Sequence, residues 1–147
     1  MKYLFALLLP LALISCKAMD ADNIEQGIKG QVRWFEGNLM PSPGVAAPEG
    51  KPVKRTVLIY EVTNMDDLTG EGSVYTAVGT KKVAEVETDK EGNFAIALDA
   101  GKYSLFTKEE GGYFANSFDG ANNINVVTVE EGKVTTRNIK IDYQASY

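Results

Sequence analysis

The stretch TDKEGNFAIALDAGKYSL, residues 88–105, sets two turn signals on either side of a short alternating run. Asp89 can bond the amides of a tight turn and Gly92 can take the positive φ that such a turn needs. Phe94 then opens the inward face of a strand, with Ile96 and Leu98 following at period two. Asp99-Ala100-Gly101 repeats the device ahead of Tyr103 and Leu105.

The same punctuation continues downstream at Glu110-Gly111-Gly112, Asp119-Gly120 and Glu131-Gly132, so the turn glycines lie about ten residues apart. Short runs separate them, and Ile139, Ile141 and Tyr143 alternate cleanly. Upstream, residues 28–35 alternate loosely. Residues 55–63, RTVLIYEVT, carry apolar side chains on both parities, which predicts a strand covered on both faces. Residues 37–52, GNLMPSPGVAAPEGKP, hold four of the five prolines and three glycines and read as a loop. Residues 64–78 read as a second long loop, with room for a helical turn at 65–68. There is no internal repeat and no amphipathic helix of ten residues. Short strands at this spacing predict a sandwich or a barrel.

The first twenty residues follow different rules. MKYLFALLLPLALIS carries one charge, Lys2, ahead of an apolar stretch too short to span a bilayer. It ends in Leu13-Ile14-Ser15-Cys16, which holds the only cysteine of the chain. These four residues resemble the lipobox of bacterial lipoproteins. The resemblance implies that residues 1–15 are a cleaved signal peptide and that Cys16 becomes the acylated first residue, a membrane anchor made of lipid. Lys17 in place of Asp is unlike an inner-membrane retention signal and favours the outer membrane. Asp20 and Asp22 resemble surface-export signals of some bacterial groups, so both the periplasmic and the surface face stay open. Residues 16–27 read as the lipidated tether, with an end-to-end distance of roughly 15–20 Å if flexible. Of 147 residues, cleavage would leave 132, enough for one domain over residues 28–147.

The folded part carries a second resemblance. Thr88-Asp89-Lys90-Glu91-Gly92-Asn93-Phe94 followed by Gly101-Lys102-Tyr103-Ser104-Leu105 is similar to the T-D-x-x-G-x-F and G-x-Y-x-[VL] pattern of carboxypeptidase regulatory-like domains. Gly30-Gln31-Val32 resembles their opening G-x-V strand. GNLMP (37–41), NSFDG (116–120) and the final IDYQASY resemble a group of small bacterial lipoproteins of unknown function that carry such a domain. The resemblance implies an all-β fold: one antiparallel, Greek-key, transthyretin (prealbumin)-like β-sandwich of seven strands, six to eight in all.

Composition removes several chemistries. The chain has no histidine, so a Ser-His-Asp triad is impossible and the commonest metal ligand is missing. Activities of related sandwiches that need His, hydroxyisourate hydrolysis and intradiol dioxygenation, are excluded with it. The net charge of −5, or −6 without Lys2, gives no electrostatic case for nucleic acid. Lys51, Lys54 and Arg55 read as a small solvated cluster. The adjacent pairs Asp66-Asp67, Glu109-Glu110 and Glu130-Glu131 read as solvated turns, since neighbours on a strand point to opposite faces. Asp119 to Asn123 offers oxygens near a glycine but one carboxylate, so an Asp-Gly turn with Asn in left-handed geometry is preferred to a calcium loop. In stalk domains of the collagen-adhesin B type, a similar fold joins a first-strand Lys to a last-strand Asn through a Glu. Lys29 and Asn138 fit, but Thr107 stands where that Glu is needed.

What remains is binding. Trp34 and Met40, with Tyr113, Phe114, Asn116, Phe118, Asp119 and Asn122 from the glycine-bounded 111–123 segment, are the candidate contacts. Alternation places Phe114 and Phe118 on one side and Tyr113 on the other. The expected function is that of a membrane-anchored, non-catalytic module for an envelope protein partner. The alternative is a carbohydrate-binding accessory lipoprotein, and a carboxylate-dependent hydrolase ranks below both. No cofactor is expected beyond the covalent lipid on Cys16.

Overall fold

The turn at residues 89–92 is built as its residues dictate. The Asp89 carboxylate accepts from the Asn93 backbone N–H at 2.8 Å and from its side-chain amide at 3.1 Å. Gly92 sits at φ 77, where a Cβ would stand 2.4 Å from the Val32 carbonyl oxygen, so both the geometry and the close approach require glycine. The second turn works otherwise. Gly101, at φ 159, lies at the edge of extended backbone, and the turn is closed by Tyr103, whose hydroxyl donates to the Asp99 carbonyl at 2.8 Å.

The structure, a computed structural model, describes residues 23–147; the segment 1–15, Cys16 and most of the tether lie outside the described residues. The strands are β1 (Gly27–Asn38), β2 (Lys51–Pro52), β3 (Thr56–Glu61), β4 (Leu68–Thr69), β5 (Val74–Tyr75), β6 (Ala77–Val78), β7 (Lys82–Glu87), β8 (Asn93–Ala97), β9 (Gly101–Glu109), β10 (Gly112–Phe114), β11 (Val126–Val129), β12 (Val134–Thr136) and β13 (Ile139–Ser146). These thirteen strands exceed the six to eight expected, because six of them are pieces of two or three residues; the other seven (β1, β3, β7, β8, β9, β11 and β13) reach four residues or more.

Two sheets face each other. One is centred on β1, with β8 and β2 antiparallel to it and β12 and β13 parallel to it. The other runs β5-β10-β9-β3-β7, with β11 also on β9, and is antiparallel throughout. The fold is thus the all-β sandwich read from the sequence, with one parallel seam along β1. Between the sheets lie Ile28, Val32, Val57, Ile59, Phe94, Leu105, Phe114, Ile139 and Ile141, among others.

β3 is covered on both faces, as its sequence predicts. Val57 and Ile59 enter the main core, while Leu58 and Tyr60 enter a second cluster with Tyr75, Phe106, Ala115 and Ile124 on the outer face of the sheet. The lid on that cluster includes Leu68 and Val78, from the segment read as a long loop with room for a helical turn at 65–68. That segment folds into a 3-10 turn at Met65–Asp67, capped by Asn64, and a paired β4 and β6. Its alternation is short and interrupted by Gly70 and Gly72, which hides three strands of two residues each, β5 among them, paired with β10. Of the loop expected over residues 37–52, residues 39–50 form one, while Gly37 and Asn38 end β1 and Lys51 and Pro52 are β2.

The parallel seam has a tight point. The chain passes from β12 to β13 at Arg137 and Asn138, where the Arg137 N–H donates to the Lys29 carbonyl at 2.7 Å and Asn138 Oδ1 accepts from the Gln31 N–H at 3.0 Å. A Cβ on Gly30 would lie 1.9 Å from the Arg137 carbonyl oxygen. This gives the glycine of Gly30-Gln31-Val32 its physical reason. Asn138 is also engaged by a backbone amide, which removes it further from a crosslink to Lys29.

Two stability predictions follow from this packing. Gly30→Ala forces the seam apart and costs about 2 kcal/mol or more in chemical denaturation. Thr107, fully buried in β9, has a hydroxyl with no hydrogen-bond partner. Thr107→Val removes that polar atom at nearly constant shape and is expected to raise stability by about 1 kcal/mol, with a loss of stability counting against the reading.

Candidate functional site

Inward positions two residues apart converge at the end of the sandwich away from Gly27. On β1, Ile28 and Val32 lead to Trp34; on β13, Ile139 and Ile141 lead to Tyr143; on β9, Leu105 and Thr107 lead to Glu109. Arg55 precedes Val57 and Ile59 at the same period. Because Val57 pairs with Thr107, Arg55 and Glu109 are the next inward positions on neighbouring strands.

The four side chains interlock. Arg55 Nε donates to both Glu109 carboxylate oxygens, at 3.0 and 3.2 Å, and the Tyr143 hydroxyl donates to Glu109 Oε2 at 3.1 Å. The Glu109 side chain is 3% exposed and that of Arg55 29%, so the carboxylate is enclosed while the guanidinium reaches the surface. The guanidinium carbon lies 5.7 Å from the Trp34 ring centre, and Tyr143 meets Trp34 edge-on at 5.1 Å. Burial first, and the Glu109 carboxylate second, push the Tyr143 phenol above the ordinary tyrosine value, against an opposing pull from Arg55. It therefore remains a donor at neutral pH. Trp34 Nε1 is occupied separately, donating to Glu36 at 3.0 Å.

Around this group opens a cleft of about 410 Å³ lined by Trp34, Arg55, Lys108, Glu109, Glu110, Tyr143 and Gln144. Two sequence expectations are corrected here. Lys51 and Lys54 do sit at the surface, paired with Glu36 and Glu87, but Arg55 turns inward. Glu109 is not a solvated turn residue: it belongs to β9 at inward parity, and Glu110 alone points to solvent.

The candidate contacts do not form one surface. Trp34 lines the cleft. Met40, 58% exposed, stands on the 39–50 loop. Phe114 is fully buried in the core, and Tyr113 is half-buried on the second cluster, edge-on to Tyr60 at 6.3 Å. Phe118 is 45% exposed and pairs with Ile124 in an isolated bridge, so it does not share a face with Phe114; β10 ends between them. Asn116 ties its loop to β13 by donating to Asp142 at 2.8 Å.

Asp119 and Asn122 build a turn. The Asp119 carboxylate accepts from the Ala121 and Asn123 backbone amides at 2.8 and 2.9 Å and from the Asn123 side chain at 3.0 Å, bonds that hold it below the ordinary aspartate value. Asn122 is left-handed at φ 63, and its carbonyl accepts from the Met65 N–H at 3.1 Å. This is the preferred Asp-Gly turn with a left-handed Asn. Among the described residues no three Cys, Asp or Glu side chains are grouped as metal ligands, and no helix is long and apolar enough to cross a membrane.

Arg55, Glu109 and Tyr143 were missed as site residues. The available signal was a charge of each sign standing at inward parity, one ahead of Val57 and Ile59 and the other after Leu105 and Thr107.

Arg55→Met should strand the Glu109 carboxylate and cost about 3 kcal/mol or more in urea denaturation, whereas Arg55→Met with Glu109→Leu should recover most of that loss. A single variant as stable as the parent would show that Glu109 is solvated.

Comparison of the chain with protein-family models, curated proteins and solved structures finds no match.

Proposed function

We propose that this chain is a lipid-anchored lipoprotein of the bacterial cell envelope, held at the outer membrane through Cys16, whose carboxypeptidase regulatory-like sandwich is a non-catalytic binding module for an envelope protein partner. The lipobox-like Leu13-Ile14-Ser15-Cys16 supports the anchor. The non-catalytic reading is supported by the absence of histidine and by the enclosure of Glu109, whose carboxylate is engaged by Arg55 and Tyr143.

The observation that carries the partner reading is the loop after β1. Every residue from Met40 to Glu49 is exposed, including Met40 at 58% and Val45 at 70%, although the run is rich in proline and apolar side chains. Its ends are fixed. The Leu39 N–H donates to the Ser146 carbonyl at 2.8 Å, and Arg33 donates to the Glu49 and Gly50 carbonyls at 2.7 and 2.9 Å. Pro41, Pro43 and Pro48 lower the entropy lost on docking. The loop leaves the end of β1 opposite Gly27, where the chain enters the sheet.

Two measurements on the full chain in its own membranes test this. Intact mass should show a chain beginning at acylated Cys16, and Cys16→Ser should release it from the membrane fraction. A photo-crosslinker at position 45 should give a discrete protein adduct that Met40→Asp abolishes at unchanged melting temperature. Adducts from other surfaces but none from the loop would overturn the partner reading, and an unmodified Cys16 would overturn the anchor.

A further inference from the structure

The chain has three arginines, and two of them are answered. Arg33 donates to the Glu49 and Gly50 carbonyls, and Arg55 to the enclosed Glu109. Arg137 is different. Lys29 pairs with Thr136 and Val32 with Ile139 in one continuous register, so Arg137 stands opposite Gly30, which contributes no side chain. It lies two residues ahead of the core residue Ile139, at the parity that faces the other sheet. There it lines a cleft of about 390 Å³ at the open side of the sandwich, with Ile139 and Leu105 from the two sheets and Asn116 and Ser117 from the loop between β10 and β11. Arg137 is half-buried. Its backbone N–H is committed to the Lys29 carbonyl, but among the described residues its guanidinium has no hydrogen-bond or ion-pair partner.

The rest of the lining sets the charge. No carboxylate lines the cleft. Lys140 borders it, but its ammonium lies on the outer face of β13, where it donates to the Tyr147 hydroxyl and sits 4.9 Å from the Phe35 ring centre. Asp142, nearby, is already engaged by Lys140 and by the Asn116 amide. The buried Asn125 shapes the wall, accepting from the Ser117 N–H at 3.1 Å and donating to the Leu105 carbonyl at 3.1 Å. The Ser117 hydroxyl and Asn138 Nδ2 are uncommitted donors on the same lining. A guanidinium drawn partly out of water without a counter-charge is costly, and an anion beside it offsets that cost. One cation matches one negative charge; a phosphate dianion would keep a charge uncompensated. The planar fork of arginine fits a carboxylate through two parallel bonds, and the buried Leu105 and Ile139 offer an apolar floor to the carbon skeleton behind it. We infer that this cleft binds the carboxylate group of a small organic molecule, held by Arg137. The site shares no residue with the exposed loop of residues 40–49, so either can fail without the other.

The full chain, purified in a non-ionic detergent, is titrated calorimetrically at fixed ionic strength. The probes are propionate, glucuronate, N-acetylalanylalanine and the C-terminal amide of that dipeptide, with inorganic phosphate as comparator. At least one carboxylate should bind saturably and raise the melting temperature, and the dipeptide amide should do neither. Binding of the dipeptide acid alone supports the inference with a peptide C-terminus as the source; binding of propionate or glucuronate supports it with a free acid. Arg137→Gln should weaken binding about tenfold or more. Its melting temperature without ligand should not fall, because the guanidinium bonds nothing in the fold. Ser117→Asp, at an exposed position of the lining, brings a second carboxylate to the cleft and should weaken binding as well. No saturable binding of any carboxylate at millimolar concentration overturns the inference. So does phosphate binding more tightly than every carboxylate, the amide binding as well as the acid, or affinity unchanged in Arg137→Gln. A ligand-free Arg137→Gln chain that loses stability also overturns it, since the guanidinium would then serve the fold.

Discussion

The five-stranded sheet exists only through β1. One edge of this strand pairs with β8 over residues 27–31 and with β2 at Arg33 and Trp34; the other pairs with β12 over residues 27–29 and with β13 from Val32 to Asn38. No other strand joins those four. The seam with β12 and β13 spans more than a hundred positions, as in the Gln31–Asn138 bond. Closing so long a loop is entropically costly before any contact rewards it. The antiparallel β3-β9-β10 group, by contrast, contains the short β9–β10 hairpin and carries apolar cover on both faces. The glycine at position 30 is the local condition for the seam: any side chain there would separate β1 from the passage between β12 and β13.

A sandwich must also be closed at its ends, and here the closure is ionic. Period two carries β9 inward past Leu105 and Thr107 to Glu109, a position where a carboxylate alone would be desolvated at a cost of several kcal/mol. Arg55 stands at the matching position beside it. Arginine suits the place better than lysine because its planar fork can hold Glu109, the Lys54 carbonyl and the Trp34 face together. The result is an end that is ordered yet still polar, in contrast to the rest of the core. Apolar groups of equal volume in place of such a pair are often as stable or more so.

Much of this was legible in the residues. The turn of Asp89, Gly92 and Asn93, the two-faced strand around Ile59 and the inward series at Phe94 and Ile139 all obey local rules, and the sheets follow them. What was not legible depends on pairing between distant segments. The direction of β13 relative to β1 cannot be read from either strand alone, because both directions preserve the same inward parity. The lid formed by Leu68 and Val78 is invisible for a related reason: strands of two residues have no period, and the apolar patch they cover belongs to other strands. Phe118 looked equivalent to Phe114 by alternation, but alternation holds only within a strand, and β10 stops at Phe114. The Arg55–Glu109 pair was hidden by proximity in sequence to other charges, Lys54 and Glu110, which do face solvent.

The parity of β1 also sends its side chains to two different surfaces. Trp34 points between the sheets and forms the cleft wall, while Arg33 and Phe35 point outward; Arg33 ties down the end of the exposed loop and Phe35 lies beneath Gly50. Both surfaces lie toward the Asn38 end. At about 3.3 Å per residue, the twelve residues of β1 set that end roughly 36 Å from Gly27, where the chain enters. A flexible tether of the proposed kind, reaching roughly 15–20 Å, is shorter than the strand it leads into. A domain held that way presents its cleft and its loop on the side turned from the lipid when β1 stands upright, and brings them to the membrane plane only by lying down. Were the chain anchored as proposed, the rigid length of β1, rather than the length of the tether, would decide how far from the bilayer the exposed loop stands.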